Sequence, residues 1–145
     1  MLYKDYLKTF TGCPFCGHVD DRFIKEEDEA FLTYSIAPYH KHHMLVIPKR
    51  HVAKYEDLNE QEVRAMEKLL LSGIKTIKAL GYENYTILLR NGEDAGKSVE
   101  HLHYHIVPTV IVGDLDHKGE ERRVMTKEEI EEFFEDFKKV EVSNG

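Results

Sequence analysis

Long apolar runs are missing from this chain, and that absence excludes the most. No stretch approaches the roughly 20 residues a membrane-spanning helix requires, since Leu69-Leu70-Leu71 sits inside a patterned, charged segment. The N-terminus, MLYKDYLKTF, has no continuous apolar core of the secretory kind, so no signal peptide is expected and the chain is expected to be cytoplasmic. Low-complexity segments and internal repeats are absent as well. A basic surplus is also lacking: the net charge is −7 and nothing resembles a basic stripe, which argues against a nucleic-acid backbone binder. The acidity is uneven, with 11 acidic and 6 basic side chains in residues 114–145. Cysteine is scarce. Cys13 and Cys16 are the only two, and in an intracellular chain such a C-x2-C pair is more often a metal knuckle or a redox pair than a structural disulfide.

What is present describes one soluble domain. A chain of 145 residues, 41% apolar and 32% charged, is long enough to bury a proper core, so residues 1–145 are read as one domain. Residues 2–10 read as a short helix or turn. Residues 30–37 and 43–48 are strand-like runs joined across Pro38-Tyr39-His40-Lys41-His42. A helix follows, with Asn59 as N-cap, Glu62 three residues on, Gly81 at its end, and Val63, Met66, Leu70, Ile74 and Ile77 as its buried stripe. Residues 85–89 form an apolar strand and 91–98 a polar loop. Thr126 and Glu129 make a capping box for a last helix over about 126–140, whose inner face is Ile130, Phe133, Phe134 and Phe137. This order gives an α+β domain built on an antiparallel sheet.

The chemistry concentrates in His101-Leu102-His103-Tyr104-His105-Ile106-Val107-Pro108. Histidines alternate with apolar residues at a period of 2, the side-chain period of a strand. Residues i and i+2 lie roughly 6.6 Å apart on one strand face, so the three imidazoles line one surface while Leu102, Tyr104 and Ile106 face a core. Such a row can hold a metal, bind phosphate or supply a nucleophile. The plain alternative is a solvent-facing strand that happens to carry histidines.

Cys13-Pro14-Phe15-Cys16 looks like a glutaredoxin site, but that chemistry wants an apolar strand before the pair and a helix N-terminus after it. The flanks here, Tyr6 to Gly12 and the acidic His18-Val19-Asp20-Asp21, suit a zinc knuckle over about 10–20. Two thiolates leave two tetrahedral positions, for which histidine is the natural partner, and His51 at a strand end could close the site. His40, His42 and His43 read as surface or strand-end residues, and His18 and His117 as plain surface ones. The loop 91–98 is a near miss for a phosphate-binding P-loop. Gly96-Lys97-Ser98 fits the G-x-x-x-x-G-K-S/T pattern, but Asn91 stands at the first glycine's position and a strand follows where a helix is needed. Its glycines can still bring backbone N–H groups close to an anion, with Lys97 and Ser98 as further donors.

Taken together these blocks resemble the histidine triad (HIT) family. Residues 101–107 match its H-φ-H-φ-H-φ-φ signature, His43-Met44-Leu45-Val46-Ile47-Pro48-Lys49-Arg50-His51 is similar to its H-φ-φ-φ-φ-P-K-R-H block, and Asn91-Gly92 with Ala95-Gly96 resembles its loop. The likeness runs from about Cys13 to about Gly113. The chain resembles a zinc-bearing member, similar to Hint-like nucleotide hydrolases, and Pro38-Tyr39, Val107-Pro108 and Gly113-Asp114 are reminiscent of dinucleoside polyphosphate phosphorylases. The resemblance implies an antiparallel half-barrel sheet with one long central helix and a C-terminal helix, a homodimer, and hydrolysis or transfer at the α-phosphate of adenosine-type nucleotide conjugates. It makes His103 the nucleophile that forms a nucleotidyl-histidine and His105 its phosphate-binding neighbour. Asn91, Gly96, Lys97, Ser98 and Ser35 would then contact the nucleotide. Cys13, Cys16, His51 and His101 would hold a structural zinc. Two positions depart from the pattern: Lys97 replaces a usual Gln, and Ser35 replaces the Asp or Asn that commonly meets the ribose. The other readings are a zinc-stabilised nucleotide-binding module with little catalysis, a phosphorylase, and a glutaredoxin-like oxidoreductase.

Overall fold

Short β-rich runs bounded by turns dictate the sheet. In the computed structural model, which describes residues 1–9, 12–16, 23–92, 101–109 and 122–140, five strands pair antiparallel throughout. They are β1 (Lys25–Glu26), β2 (Ala30–Tyr34), β3 (Met44–Pro48), β4 (Tyr85–Leu89) and β5 (Tyr104–Pro108), in the order β1-β2-β3-β5-β4. The central register sets Leu45 opposite His105 and Val46 opposite Tyr104, so the third strand and the histidine strand are neighbours. The helices are α1 (Tyr3–Leu7), α2 (Glu60–Ala79) and α3 (Lys127–Lys138), with a 3-10 turn at Tyr55–Asp57 before α2. No helix among the described residues is long and apolar enough to cross a membrane.

Both longer helices begin as expected. Asn59 and Glu62 close a reciprocal capping box on α2, and Thr126 and Glu129 do the same on α3. Glu62 is buried and has a second task. Arg50 donates to both of its oxygens, at 2.7 and 3.0 Å, tying the segment beside His51 to the start of α2. That hydrogen-bonded guanidinium holds the Glu62 carboxyl below its usual range.

One face of the sheet packs on α2 and α3. Leu32, Met44, Val46 and Ile106 meet Ala65, Met66, Leu69 and Ile77 of α2 and Ile130, Phe133 and Phe137 of α3. The expected stripe on α2 needs correction. Its buried face is Glu62, Ala65, Met66, Leu69, Ser72, Gly73, Thr76 and Ile77, whereas Val63 is exposed and Leu70 and Ile74 are half-buried. The helix presents its small residues to the sheet because close approach requires it. A Cβ on Gly73 would stand 2.6 Å from the Ile106 side chain. The polar members of this face are satisfied, with the Thr76 hydroxyl donating to the Ser72 carbonyl at 2.8 Å and Lys25 to the Ser72 hydroxyl at 3.2 Å.

The strands are also shorter than the sequence suggests. The run 30–37 leaves the ladder at Tyr34, and the histidine strand becomes regular only at Tyr104. Its earlier residues are held differently. Leu102 N–H donates to the Val52 carbonyl, while the Pro48 carbonyl is met by the His101 ring at 2.6 Å. A side chain has taken the place of a ladder hydrogen bond.

Gly73→Ala tests the packing argument. Helix propensity gains about 1 kcal/mol, but overpacking against Ile106 costs about 1–3 kcal/mol. A lower urea midpoint at unchanged slope is expected. A raised midpoint would show that Ile106 yields without penalty.

Candidate active site and metal centre

The opposite face of the sheet carries the candidate site. Phe31, Leu45 and Ile47 form its apolar floor, with Phe15 and Phe23 packed against them. Because residues facing each other across an antiparallel pair share a face, His43 and Leu45 on one side meet His103 and His105 on the other. Histidines 43, 101, 103 and 105 are all at most 8% exposed, so the surface reading of the triad is excluded. A buried imidazole requires hydrogen-bonding partners, and these partners determine which nitrogen carries each proton.

His101 points into the Cys13–Cys16 turn. Its Nε2–H donates to the Pro48 carbonyl at 2.6 Å, which leaves the lone pair on Nδ1, 3.4 Å from Cys13 Sγ and 3.3 Å from Cys16 Sγ. His51 Nδ1 lies 3.0 Å from Cys16 Sγ. The four donor atoms fall within 4.8 Å of one another. A tetrahedral zinc with Zn–S near 2.3 Å and Zn–N near 2.0 Å separates its ligands by roughly 3.3–3.8 Å, so the set fits such an ion after small adjustments. A metal-binding imidazole commonly donates its other N–H to a carbonyl, as His101 does to Pro48. Burial and the neighbouring Cys13 push the Cys16 thiol up, and what disfavours the redox reading is geometry, since two imidazole nitrogens stand within 3.0–3.4 Å of the thiols.

Two residues on, His103 turns the other way. Its Nδ1–H donates to the backbone carbonyl of His101 at 2.9 Å, so in the neutral ring Nε2 bears the lone pair. Phe15 meets the His103 ring edge-on at 5.1 Å, and the His105 ring lies 4.7 Å away. A neutral imidazole in this tautomer can attack an electrophile through Nε2.

His105 is governed by His43, whose sequence position suggests only a strand end. Tyr39 N–H donates to His43 Nδ1 at 3.1 Å, and His43 Nε2 lies 2.9 Å from His105 Nδ1. Since His43 Nδ1 accepts, its proton sits on Nε2 and is donated to His105, whose own proton is left on Nε2. Burial first, then Arg122 and the neighbouring imidazoles, hold His43 well below the usual imidazole range, and burial with His43 foremost does the same to His105. Both are therefore neutral, and His105 can offer an N–H to an anion.

His42 also corrects the surface expectation. It is buried between Tyr82, whose hydroxyl is 2.8 Å from Nδ1, and Asp136, whose Oδ2 is 2.9 Å from Nε2. The turn that carries it is covered by Phe133 and Phe137 of α3. A simple signal could have found His43: extending the period of 2 backwards from Ile47 and Leu45 puts it on their face.

The remaining candidates divide. Ser35 is buried next to His43, with its N–H donating to the His43 carbonyl at 3.2 Å. Asn91 is exposed and engages the 3-10 turn, accepting from Tyr55 N–H at 2.8 Å. Gly96, Lys97 and Ser98 lie outside the described residues, as do His18 and His117.

Residues 17–110 match the family model described as HIT domain. An adenosine 5'-monophosphoramidase of Schizosaccharomyces pombe is 44% identical over 101 residues, covering 67% of this chain and 74% of the relative. An adenylylsulfatase of Arabidopsis thaliana is 32% identical over 101 residues, covering 66% of this chain and 51% of the relative. A zinc-bound histidine triad family protein from Mycobacterium smegmatis shares the fold with a TM-score of 0.66 at 23% identity, over 89% of this chain and 95% of that one.

The candidate metal site has its own test. His101→Ala should lower the zinc content of the purified protein below one per chain and depress the melting temperature. Unchanged zinc stoichiometry would mean that another side chain is the fourth ligand.

Proposed function

The chain belongs to the HIT domain family, and on that premise we propose that it is a single-domain, cytoplasmic nucleotide hydrolase or nucleotidyl transferase acting at an α-phosphate through a covalent histidine intermediate. The observation that carries the reading is the His103 tautomer: Nδ1–H bound to the His101 carbonyl and the lone pair on Nε2. The names of the two relatives support adenosine phosphoramidates and adenosine phosphosulfate as substrates. Dinucleoside polyphosphates belong to the same reading.

In this mechanism His103 Nε2 attacks the α-phosphorus. A P–N bond forms as the bond to the amine, sulfate or phosphate breaks, and the leaving group departs with the electron pair, an amine taking up a proton from solvent and sulfate or phosphate leaving as the anion. His105 Nε2–H donates to a non-bridging oxygen as negative charge gathers there, because positioned donors supply most of the catalysis in phosphoryl chemistry. Water or phosphate then attacks the nucleotidyl-histidine, breaking the P–N bond and restoring neutral His103. Asn91, Gly96, Lys97 and Ser98 are assigned to phosphate contact and Ser35 to the ribose. Cys13, Cys16, His51 and His101 would hold a zinc, which when bound closes the N-terminal segment onto the sheet without activating water. Free thiols reserved for a metal accord with a reducing compartment.

A homodimer completes the proposal. Tyr85 and Ile87 on the edge strand β4, and Val63 and Leu71 on α2, are apolar side chains left exposed. Light scattering should give about twice the 17.0 kDa chain mass. A mass of one chain at micromolar concentration would refute the assembly.

His103→Ala should abolish release of AMP from adenosine 5'-phosphoramidate and adenosine 5'-phosphosulfate while melting temperature and zinc content stay native. In the parent, rapid quenching and mass spectrometry should find an adenylyl group on His103. Turnover by the variant at the parent's rate would eliminate the mechanism.

A further inference from the structure

Arg122 lies between two aromatic rings. Its guanidinium carbon is 4.6 Å from the centroid of Tyr3 and 4.5 Å from that of Tyr39, and Nη1 donates to the Ala37 carbonyl at 3.2 Å. The backbone around it is knitted to the same places. Tyr3 N–H donates to the Arg122 carbonyl at 2.7 Å, Val124 N–H to Met1 at 2.8 Å and Met125 N–H to Ile36 at 2.7 Å. The chain start, residues 122–125 and the turn at 36–39 therefore form one unit, and Arg122 is its centre.

Tyr39 carries that unit to the histidines in two ways. Its ring stacks on the His43 ring, with centroids 5.5 Å apart and planes 22° apart, and its N–H bonds His43 Nδ1. His43 then meets His105. A continuous stack thus runs Tyr3, Arg122, Tyr39, His43, His105, from the chain start into the site. A cation held over two ring faces resists displacement more than an apolar side chain would, because both rings attract its charge. Small displacements of supporting groups are amplified at a reacting centre.

We propose that Arg122 is a positioning residue for the phosphate-binding histidine: by clamping Tyr39 it seats His43, and so aims the Nε2–H of His105 at the substrate. This rests on the hydrolase reading but concerns a residue outside the histidine motif and the metal knuckle, contributed by the segment just before α3. The guanidinium also has an electrostatic reach. The charged or titratable groups facing His43 are Arg122, His103, His40 and Arg90, with His105 as its hydrogen-bond partner. Arg90 Nη1 lies 3.5 Å from the Tyr39 hydroxyl on the same flank.

The sign of the effect follows. His43 and His105 act in their neutral forms, so activity falls as pH drops through their lowered values. Taking away the Arg122 charge removes one of the causes that lower them, and the acid limb then moves to higher pH.

The test compares Arg122→Met, which keeps length but loses charge and plane, with Arg122→Lys, which keeps charge alone, and Tyr39→Leu, which removes the ring but keeps the backbone N–H. On full-length, zinc-loaded protein with adenosine 5'-phosphoramidate, Arg122→Met should lower kcat on the order of tenfold with little change in KM, and shift the acid limb of kcat/KM upward. Arg122→Lys should restore the limb but only part of kcat, and Tyr39→Leu should lower kcat as the methionine variant does. Independently of turnover, NMR titration of the imidazole carbons should show His43 protonating at higher pH in Arg122→Met than in the parent. If His43 titrates as in the parent, the proposal is overturned, whether or not turnover survives. A parent without hydrolysis would instead refute the hydrolase reading, and the His43 titration would decide this one. Should the methionine variant fail to fold, the lysine and leucine variants carry the comparison, and parent-like kcat in both would overturn the clamp.

Discussion

Everything at this site depends on how one residue, His101, is held. Its Nε2–H is taken by the Pro48 carbonyl, its Nδ1 is turned towards two thiols, and its own backbone carbonyl receives the Nδ1–H of His103. Three constraints on one residue fix the tautomers of two histidines. None of them would arise on an ordinary ladder, where the Pro48 carbonyl would be met by a backbone N–H. The early end of β5 frees residues 101–103 from regular pairing, so that one ring turns to the Cys13–Cys16 pair and the next turns the other way.

The second ring of support is electrostatic and comes from burial. Four imidazoles packed within a few ångströms could not all be protonated, and desolvation pushes the equilibrium of His43 and His105 the same way as their mutual repulsion. Neutrality is thus set first by burial, with Arg122 and the neighbouring imidazoles adding to it. Since neutral imidazole has one donor and one acceptor nitrogen, direction matters as much as charge. The backbone supplies direction at both ends, through Tyr39 N–H for the His43–His105 pair and through the His101 carbonyl for His103. The site is a buried polar network in which each described hydrogen bond specifies the next.

Much of this was legible in the sequence, for identifiable reasons. Alternation placed the three histidines on one face, and spacing in a C-x2-C pair asked for two imidazoles that the fold then delivers in His51 and His101. Capping boxes fixed the starts of α2 and α3, since their cause is local. What escaped depends on approach distances that composition does not encode. Periodicity points to Val63, Met66, Leu70, Ile74 and Ile77 on α2, yet only Met66 and Ile77 of these are buried, and the contact runs over Ala65, Leu69, Ser72 and Gly73 because the sheet comes close. His43 was underrated because its partner is 62 residues away, and His42 because α3 folds over its turn. The Tyr3–Arg122–Tyr39 stack joins three separated segments and has no sequence signature at all.

The most direct test of the account is the tautomer of His103, read from the long-range proton–nitrogen correlations of its ring in zinc-loaded protein above pH 7. The account predicts a single neutral species with the proton on Nδ1 and a bare Nε2. A spectrum showing His103 protonated on Nε2, or as the imidazolium, would contradict it.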